Sequence, residues 1–238
     1  MVAAWRNLAM INYAIDPGIL KSHIPPGTEL DSRDGTTFVS VVGFRFLKTR
    51  VNGWKLPFHG DFNEINLRFY VRRRVDGDWR RGVVFVREVV SRRAIAVVAN
   101  WVYKENYVVC PTRSHVILPR RQAGGLAEYS WRYHDKWLGL RCEFSGIPAN
   151  PPPGSECEFI TEHYWGYSRQ KGGRTLEYEV EHPSWRVWDA TAASLAGDVG
   201  AFYGTEFAET LSADPTSAFL AEGSEVQIKT GGTLEGSS

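Results

Sequence analysis

The chain has 238 residues and a mass of 26.9 kDa, with 43% hydrophobic and 23% charged residues and a formal net charge of +1. Its 31 Phe, Tyr and Trp residues exclude a disordered chain, and no run approaches the ~20 apolar residues of a membrane-spanning helix. The charge is lopsided, with 20 Lys+Arg against 10 Asp+Glu in residues 1–121 and 8 against 17 in residues 122–238.

In chain order, Asp16-Pro17 predicts a short helix, because Asp caps free N–H groups and Pro tolerates the first helical position; Pro25-Pro26-Gly27 ends it. Strands are expected over Thr37–Phe46, Phe62–Arg74, Gly82–Val90, Ala94–Tyr103 and Asn106–Ile117, with turns at Asp34-Gly35, Asn52-Gly53 and Asp76-Gly77. Ala127–Tyr133, Trp137–Phe144, Phe159–Tyr167 and Thr175–Val180 continue the pattern across the stiff loop Asn150–Gly154. Ala190–Leu211 carries apolar residues at helical spacing and predicts the one long helix, weakened by Gly197, Gly200 and Gly204. Glu225–Lys229 is a last strand, and residues 230–238 read as a flexible tail. A single domain over residues 1–229 is expected.

The arginine clusters Arg72–Arg74, Arg80-Arg81, Arg92-Arg93 and Arg120-Arg121 offer either a basic patch or a set of partners for acidic strands. Glu177, Glu179 and Glu181 alternate along one strand and are the candidate partner face, so nucleic acid is not the expected partner. Cys110, Cys142 and Cys157 are widely spaced and form no CxxC pair, which supports neither a disulfide framework nor a zinc finger. The six histidines show no metal-binding spacing, and GxSxG, GKS/T and Rossmann signatures are absent. No metal and no cofactor is expected. The first residues lack the features of a signal peptide, so a reducing cytoplasm is the expected compartment.

Two strands carry the candidate chemistry. Alternation along Glu64–Arg72 puts Ile65, Leu67, Phe69 and Val71 on one face and Glu64, Asn66, Arg68, Tyr70 and Arg72 on the other, a row able to line a wet cavity or to face solvent. Gly82–Val90 is apolar on both faces yet holds Arg87 and Glu88, which therefore point opposite ways and need partners; Arg87 is expected to face Glu64 or another carboxylate. His59 precedes the polar strand and is placed at the cavity mouth; His163 and His182, in aromatic surroundings, read as packing residues rather than bases.

Trp5–Leu8, Pro25–Asp31, Val39–Phe44, Phe62–Val71, Arg81–Glu88, Glu162–Tyr167 and Ala221–Val226 together resemble the YqjF-like bacterial family, related to the acetoacetate-decarboxylase-like superfamily. The resemblance implies a mainly β (α+β) fold: one antiparallel β-barrel or cone, a few peripheral helices and an internal cavity. In acetoacetate decarboxylase that cavity holds a Schiff-base lysine, an arginine and glutamates. The resemblance puts the arginine on Arg6 and a glutamate on Glu64; a second glutamate position falls near Ser40, which is no carboxylate. The Arg-Glu dipeptide falls on Arg87-Glu88 and the lysine pair on Ala94-Ile95. No lysine occurs between Lys55 and Lys104, and arginine is too basic to form a Schiff base in its place.

The leading expectation is a cytosolic protein that binds a small anionic or carbonyl-containing molecule. Arg6, Arg68 and Arg87 would hold the anion, with Glu64, Asn66 and His59 around it. Glu64 is the candidate acid or base. The alternatives are a lysine-independent lyase, isomerase or hydrolase on a small oxo-acid, and an interaction protein with an arginine-rich surface. The oligomeric state is left open.

Overall fold

The computed structural model describes residues 1–51, 54–55, 61–91, 107–119, 123–229 and 231–234, the side chains of 51, 54 and 55 apart. The strands are β1 (Val2–Ile15), β2 (Glu29–Leu30), β3 (Thr37–Val51), β4 (Trp54–Lys55), β5 (Phe62–Val75), β6 (Asp78–Val90), β7 (Tyr107–Val109) and β8 (Thr112–Ile117). They continue with β9 (Gly125–Tyr133), β10 (Lys136–Phe144), β11 (Trp165–Arg169), β12 (Thr175–Glu181), β13 (Val187–Ala196), β14 (Ser217–Ala221), β15 (Glu225–Lys229) and β16 (Thr233–Leu234). Four short helices accompany them among the described residues: α1 (Pro17–Leu20), α2 (Glu156–Thr161), α3 (Val199–Tyr203) and α4 (Ala208–Ser212). The fold is mostly β with few helices, as the alternating sequence requires.

Strand pairing runs β4-β3-β5-β6-β11-β12-β15-β1-β14-β13-β10-β9-β8, and β1 also pairs with β3. The pairings are antiparallel except β6 with β7 and β6 with β11, which are parallel; the expected all-antiparallel sheet is corrected to that extent. The β5–β6 hairpin turns on Asp76 and Gly77, both at positive φ (51° and 97°). Two such residues in succession match the right-handed twist of the strands they join. Gly43 in β3 is required by packing, since a Cβ there would lie 2.7 Å from the Tyr129 ring.

The sheet has two buried faces. On one, Ile65, Leu67, Phe69 and Val71 of β5 join Ala9, Ile11 and Tyr13 of β1, Tyr129 and Trp131 of β9, and Phe202 and Phe207 beside the short helices. On the other lie Leu8, Met10, Val42, Phe44, Tyr70, Phe159 and Ile160.

Several expectations change. Residues 1–15 form the central strand β1, and Ser217–Ala221 forms β14 beside it, neither of which the turn signals bracketed. The long helix over Ala190–Leu211 is not formed. Val187–Ala196 is a strand, because its backbone pairs with β10 along Gly139–Phe144 and with β14 at Val187–Asp189, where Val187 and Trp188 are buried; this tertiary pairing outweighs the helix preference of its alanines. Gly197 (φ 103°) and Gly204 (φ 121°) then bracket the five-residue α3, whose first turn is capped by Asp198. Phe159–Tyr167 is not one strand either. Ser155 caps α2, its Oγ accepting from the Glu158 N–H at 3.1 Å, and β11 starts at Trp165. In the expected tail, Thr233–Leu234 pairs with Thr175-Leu176 of β12. The turn at Asn52-Gly53, the strand Ala94–Tyr103, the Arg92-Arg93 and Arg120-Arg121 clusters, and His59 lie outside the described residues.

Candidate functional site

The second buried face of the sheet encloses a cavity of about 110 Å³. Its walls come from β1, β3, β5, β6, the segment through α2 to β11, β12 and β15, and most of the lining is aromatic or aliphatic. The polar exceptions on β5 are Glu64, Asn66 and Arg68, the row that alternation groups together, and Glu88 joins them from β6. All four are buried, Asn66 to 1% exposure and Arg68 to 9%.

A one-residue irregularity builds that wall. Leu67 pairs with Arg87, but Arg68 pairs with Phe85, so Val86 is an extra residue in β6. The bulge lets Phe85 and Glu88, three apart, both line the cavity, while Val86 and Arg87 lie between them. Asn66 and Glu88 are register partners. Asn66 Nδ2 donates to Glu64 Oε1 at 3.1 Å.

Arg68 is the cation of this wall, and its partners are neutral. Nε donates to the Tyr70 hydroxyl at 3.4 Å, and Nη2 reaches Met10 Sδ at 3.6 Å and the Ile160 carbonyl at 3.4 Å. No carboxylate lies within salt-bridge distance of it among the described residues. Behind it runs a chain of donors all pointing one way. Tyr70 OH lies 2.6 Å from Ser40 Oγ, Ser40 Oγ donates to Asn12 Oδ1 at 2.6 Å, Asn12 Nδ2 donates to Ser217 Oγ at 2.9 Å, and Ser217 Oγ donates to Glu156 Oε1 at 2.5 Å. Because the Ser40 proton is committed to Asn12, Tyr70 is the donor in the first of these bonds, and its oxygen accepts from Arg68. Ser40 thus occupies a structural place in the network and not a cavity-wall position.

His163 also lines the cavity. Its Nε2 lies 3.2 Å from Asp31 Oδ2, which accepts from Arg81 Nε at 2.6 Å. Burial pushes the imidazole pKa down to about 4, against the opposing pull of Asp31. Asp31 is itself lowered: desolvation raises it, but the hydrogen bonds and charges of His163 and Arg81 together outweigh that. The imidazole is therefore neutral near pH 7, Nε2 carries its proton, and Nδ1 is a bare acceptor. Buried polar atoms of lining residues without a hydrogen-bond partner among the described residues include His163 Nδ1, Asn66 Oδ1 and Trp5 Nε1.

Of the sequence-derived candidates, the structure brings Glu64, Asn66 and Arg68 together and separates two others. Arg6 does not line the cavity. Trp5 and Leu8 do, and Arg6 falls on the opposite face with Ala9, across a bulge at Asn7 (φ 57°); its guanidinium donates to the Trp5 carbonyl at 3.0 Å. Arg87 also points away. It donates to the Phe202 carbonyl and lies over the Phe202 ring at 5.0 Å, and among the described residues it pairs with neither Glu64 nor any other carboxylate. Positions 94 and 95 are outside the described residues, and no lysine is among the described residues of the lining. Sequence reasoning missed Asp31; it read His163 as a hydrogen-bonded packing residue, which its Asp31 bond and its Tyr70 and Phe159 contacts bear out. Glu88 was visible as a lone carboxylate in an apolar strand.

Of the clustered arginines, Arg72, Arg73, Arg80 and Arg81 form ion pairs. Arg73 and Arg80 both bind Glu177, at 3.0 and 2.5 Å, Arg81 binds Asp31, and Arg72 binds Glu29 at 2.7 Å. Glu177 is the acidic partner the alternation suggested, whereas Glu179 and Glu181 pair with Lys229.

YqjF of Bacillus subtilis (strain 168), an uncharacterised protein, is 23% identical over 215 residues, covering 88% of this chain and 84% of the relative. Among solved structures, the enduracididine biosynthesis enzyme MppR complexed with pyruvate matches with a TM-score of 0.71 at 15% identity, over 100% of this chain and 91% of that one. Acetoacetate decarboxylase from Legionella pneumophila matches with a TM-score of 0.66 at 13% identity, over 98% and 86%. These structures share the fold. The model of the family DUF2071, described as an uncharacterized conserved protein, matches residues 2–225, and the chain belongs to that family.

Proposed function

We propose that this protein binds a small organic molecule bearing a carboxylate or carbonyl oxygen in the cavity, with Arg68 as the group that receives that oxygen. The observation that carries the reading is a buried guanidinium whose contacts are a phenol, a thioether and a carbonyl, none closer than 3.4 Å. A buried charge whose contacts among the described residues are neutral is costly, and an anionic oxygen supplies a strong, charge-assisted partner. Glu64 and Glu88 give the same wall two carboxylates, and these suit an O–H or N–H donor elsewhere on the ligand. The pairings β3-β5-β6-β11-β12-β15-β1, with β1 returning to β3, fit a closed barrel around this pocket. Pyruvate, carried by the fold neighbour MppR, belongs to the chemical class that the site suits. No lysine is among the described residues of the lining, and the turnover proposed here uses no Schiff base. Glu64 is its acid or base, and the expected compartment is the cytoplasm.

The test is a panel of short carboxylic, oxo- and hydroxy-acids and lactones, read by melting temperature and by turnover on the full chain. Oxo- or hydroxy-acids should raise the melting temperature, and Arg68→Met should abolish the rise. Turnover that is lost with Glu64→Gln identifies an enzyme; a melting shift without turnover identifies a carrier or sensor. A panel with no shift in the wild-type protein would remove the reading.

A further inference from the structure

His163 lines the same cavity as Arg68, and the role inferred for it rests on the reading just given. The ring sits deep, with its side chain 1% exposed, and it is clamped between Tyr70 (ring centroids 4.6 Å apart) and Phe159 (5.2 Å). Its tautomer is set from behind. Asp31 is held by Arg81, which lies over the Phe159 ring at 4.7 Å, and the Asp31 N–H donates to the Tyr70 carbonyl at 3.0 Å. A carboxylate that accepts from both Arg81 and His163 has no proton to give back, so Nε2 is the protonated nitrogen and Nδ1 keeps its lone pair. Leaving a buried acceptor unsatisfied is unfavourable, and Nδ1 has no partner among the described residues.

Tyr70 links this acceptor to the anion site. Arg68 donates to its hydroxyl and His163 packs on its ring, so a ligand oxygen at Arg68 lies near the imidazole. Asn66 Oδ1, a second acceptor without a partner among the described residues, stands on the same wall as Arg68. The wall therefore offers one cation for an oxygen anion and neutral acceptors for a donor beside it.

We infer that His163 is a specificity-determining residue, with Asp31 as its positioning residue: Nδ1 accepts a hydrogen bond from a ligand hydroxyl, and the cavity takes short hydroxy acids in preference to the corresponding unsubstituted acids. A site built around a hydrogen bond to a substrate hydroxyl rejects the analogue lacking it, because the protein group is then left unpaired.

Butyrate, 2-hydroxybutyrate and 3-hydroxybutyrate are the probes, titrated by calorimetry into the wild-type full chain, His163→Phe and Arg68→Met. The wild type should bind one of the hydroxy acids at least about tenfold more tightly than butyrate. His163→Phe, which keeps a ring in the clamp, should bind butyrate like the wild type and lose the discrimination. Arg68→Met should weaken all three acids, and that outcome tests the anion site separately. Nitrogen-15 spectra of the wild type give a readout independent of any variant. The free protein should show a proton on His163 Nε2 and none on Nδ1, and the Nδ1 resonance should move upfield with the preferred hydroxybutyrate and not with butyrate. Equal affinity for all three acids, or a proton on Nδ1 in the free protein, overturns the assignment. If Arg68→Met still weakens the acids in that case, the anion site stands without it.

Discussion

The two faces of β5 are equally buried and chemically opposite. Ile65, Leu67, Phe69 and Val71 disappear into a core closed by β9 and the short helices. Glu64, Asn66 and Arg68, one residue out of phase with them, are also buried but line a cavity, and Asn66 Oδ1 has no hydrogen-bond partner among the described residues. A solvated sheet face carries polar residues at no cost. A buried one carries them only where something else, such as a ligand, pairs with them. The contrast separates stability from recognition within a single strand, and adjacent substitutions can break it.

The largest expected effect is on the apolar face. Leu67→Ala should lower the unfolding free energy by about 2–5 kcal/mol in denaturant titrations, through lost burial and a residual cavity, and leave the choice among ligands unchanged. One residue on, Arg68→Met should do the reverse. Stability should hold or rise, because a buried charge with neutral partners is removed, and acid binding should fall. Should Arg68→Met destabilise the fold as much as Leu67→Ala, the two faces are not functionally distinct.

Next is the pH dependence of His163. Its folded-state pKa of about 4 lies below the ordinary value of 6.5, so between those values the unfolded chain holds the extra proton. Stability is then full above about pH 6.5 and declines as pH falls toward 4, by roughly 3 kcal/mol at most. The groups facing the ring are Asp31, Arg81, Arg68 and Tyr70. Asp31, whose pKa is lowered, adds a loss in the same direction at still lower pH. Urea melts at several pH values should show this decline in the wild type and a flatter profile in His163→Phe.

Ser40→Ala comes third. It leaves the Tyr70 hydroxyl and Asn12 Oδ1 without their shared partner, at a cost of about 1–3 kcal/mol in thermal or chemical melts. The smallest effect is expected from Arg87→Met. Its guanidinium is directed at the Phe202 carbonyl on the apolar side, so ligand affinity should be unchanged.

The polar row of β5 was legible because a period of two needs only a straight strand. Arg6 came from the resemblance alone; in the structure the register shift at Asn7 sets Trp5 and Leu8 on the cavity side and Arg6 on the other. The bulge at Val86 worked the other way, setting Glu88 on the cavity side beside Phe85. Neither bulge carries a glycine or proline that would announce it. The β13 strand was hidden by its alanines, whose strand pairing depends on β10 and β14, remote in sequence. The Ser155-x-x-Glu158 cap of α2 was a readable signal that the surrounding strand pattern obscured. His163 could not be told from a packing histidine by sequence, because its distinction is the partner Asp31, 132 positions away.

The most direct measurement is the affinity of the full chain for 2-oxobutyrate before and after Arg68→Met, with Arg87→Met as the control. The account predicts a loss of at least about tenfold for Arg68→Met, the worth of one charge-assisted contact, and no change for the control. Undiminished binding in Arg68→Met, or an equal loss in both variants, would contradict it.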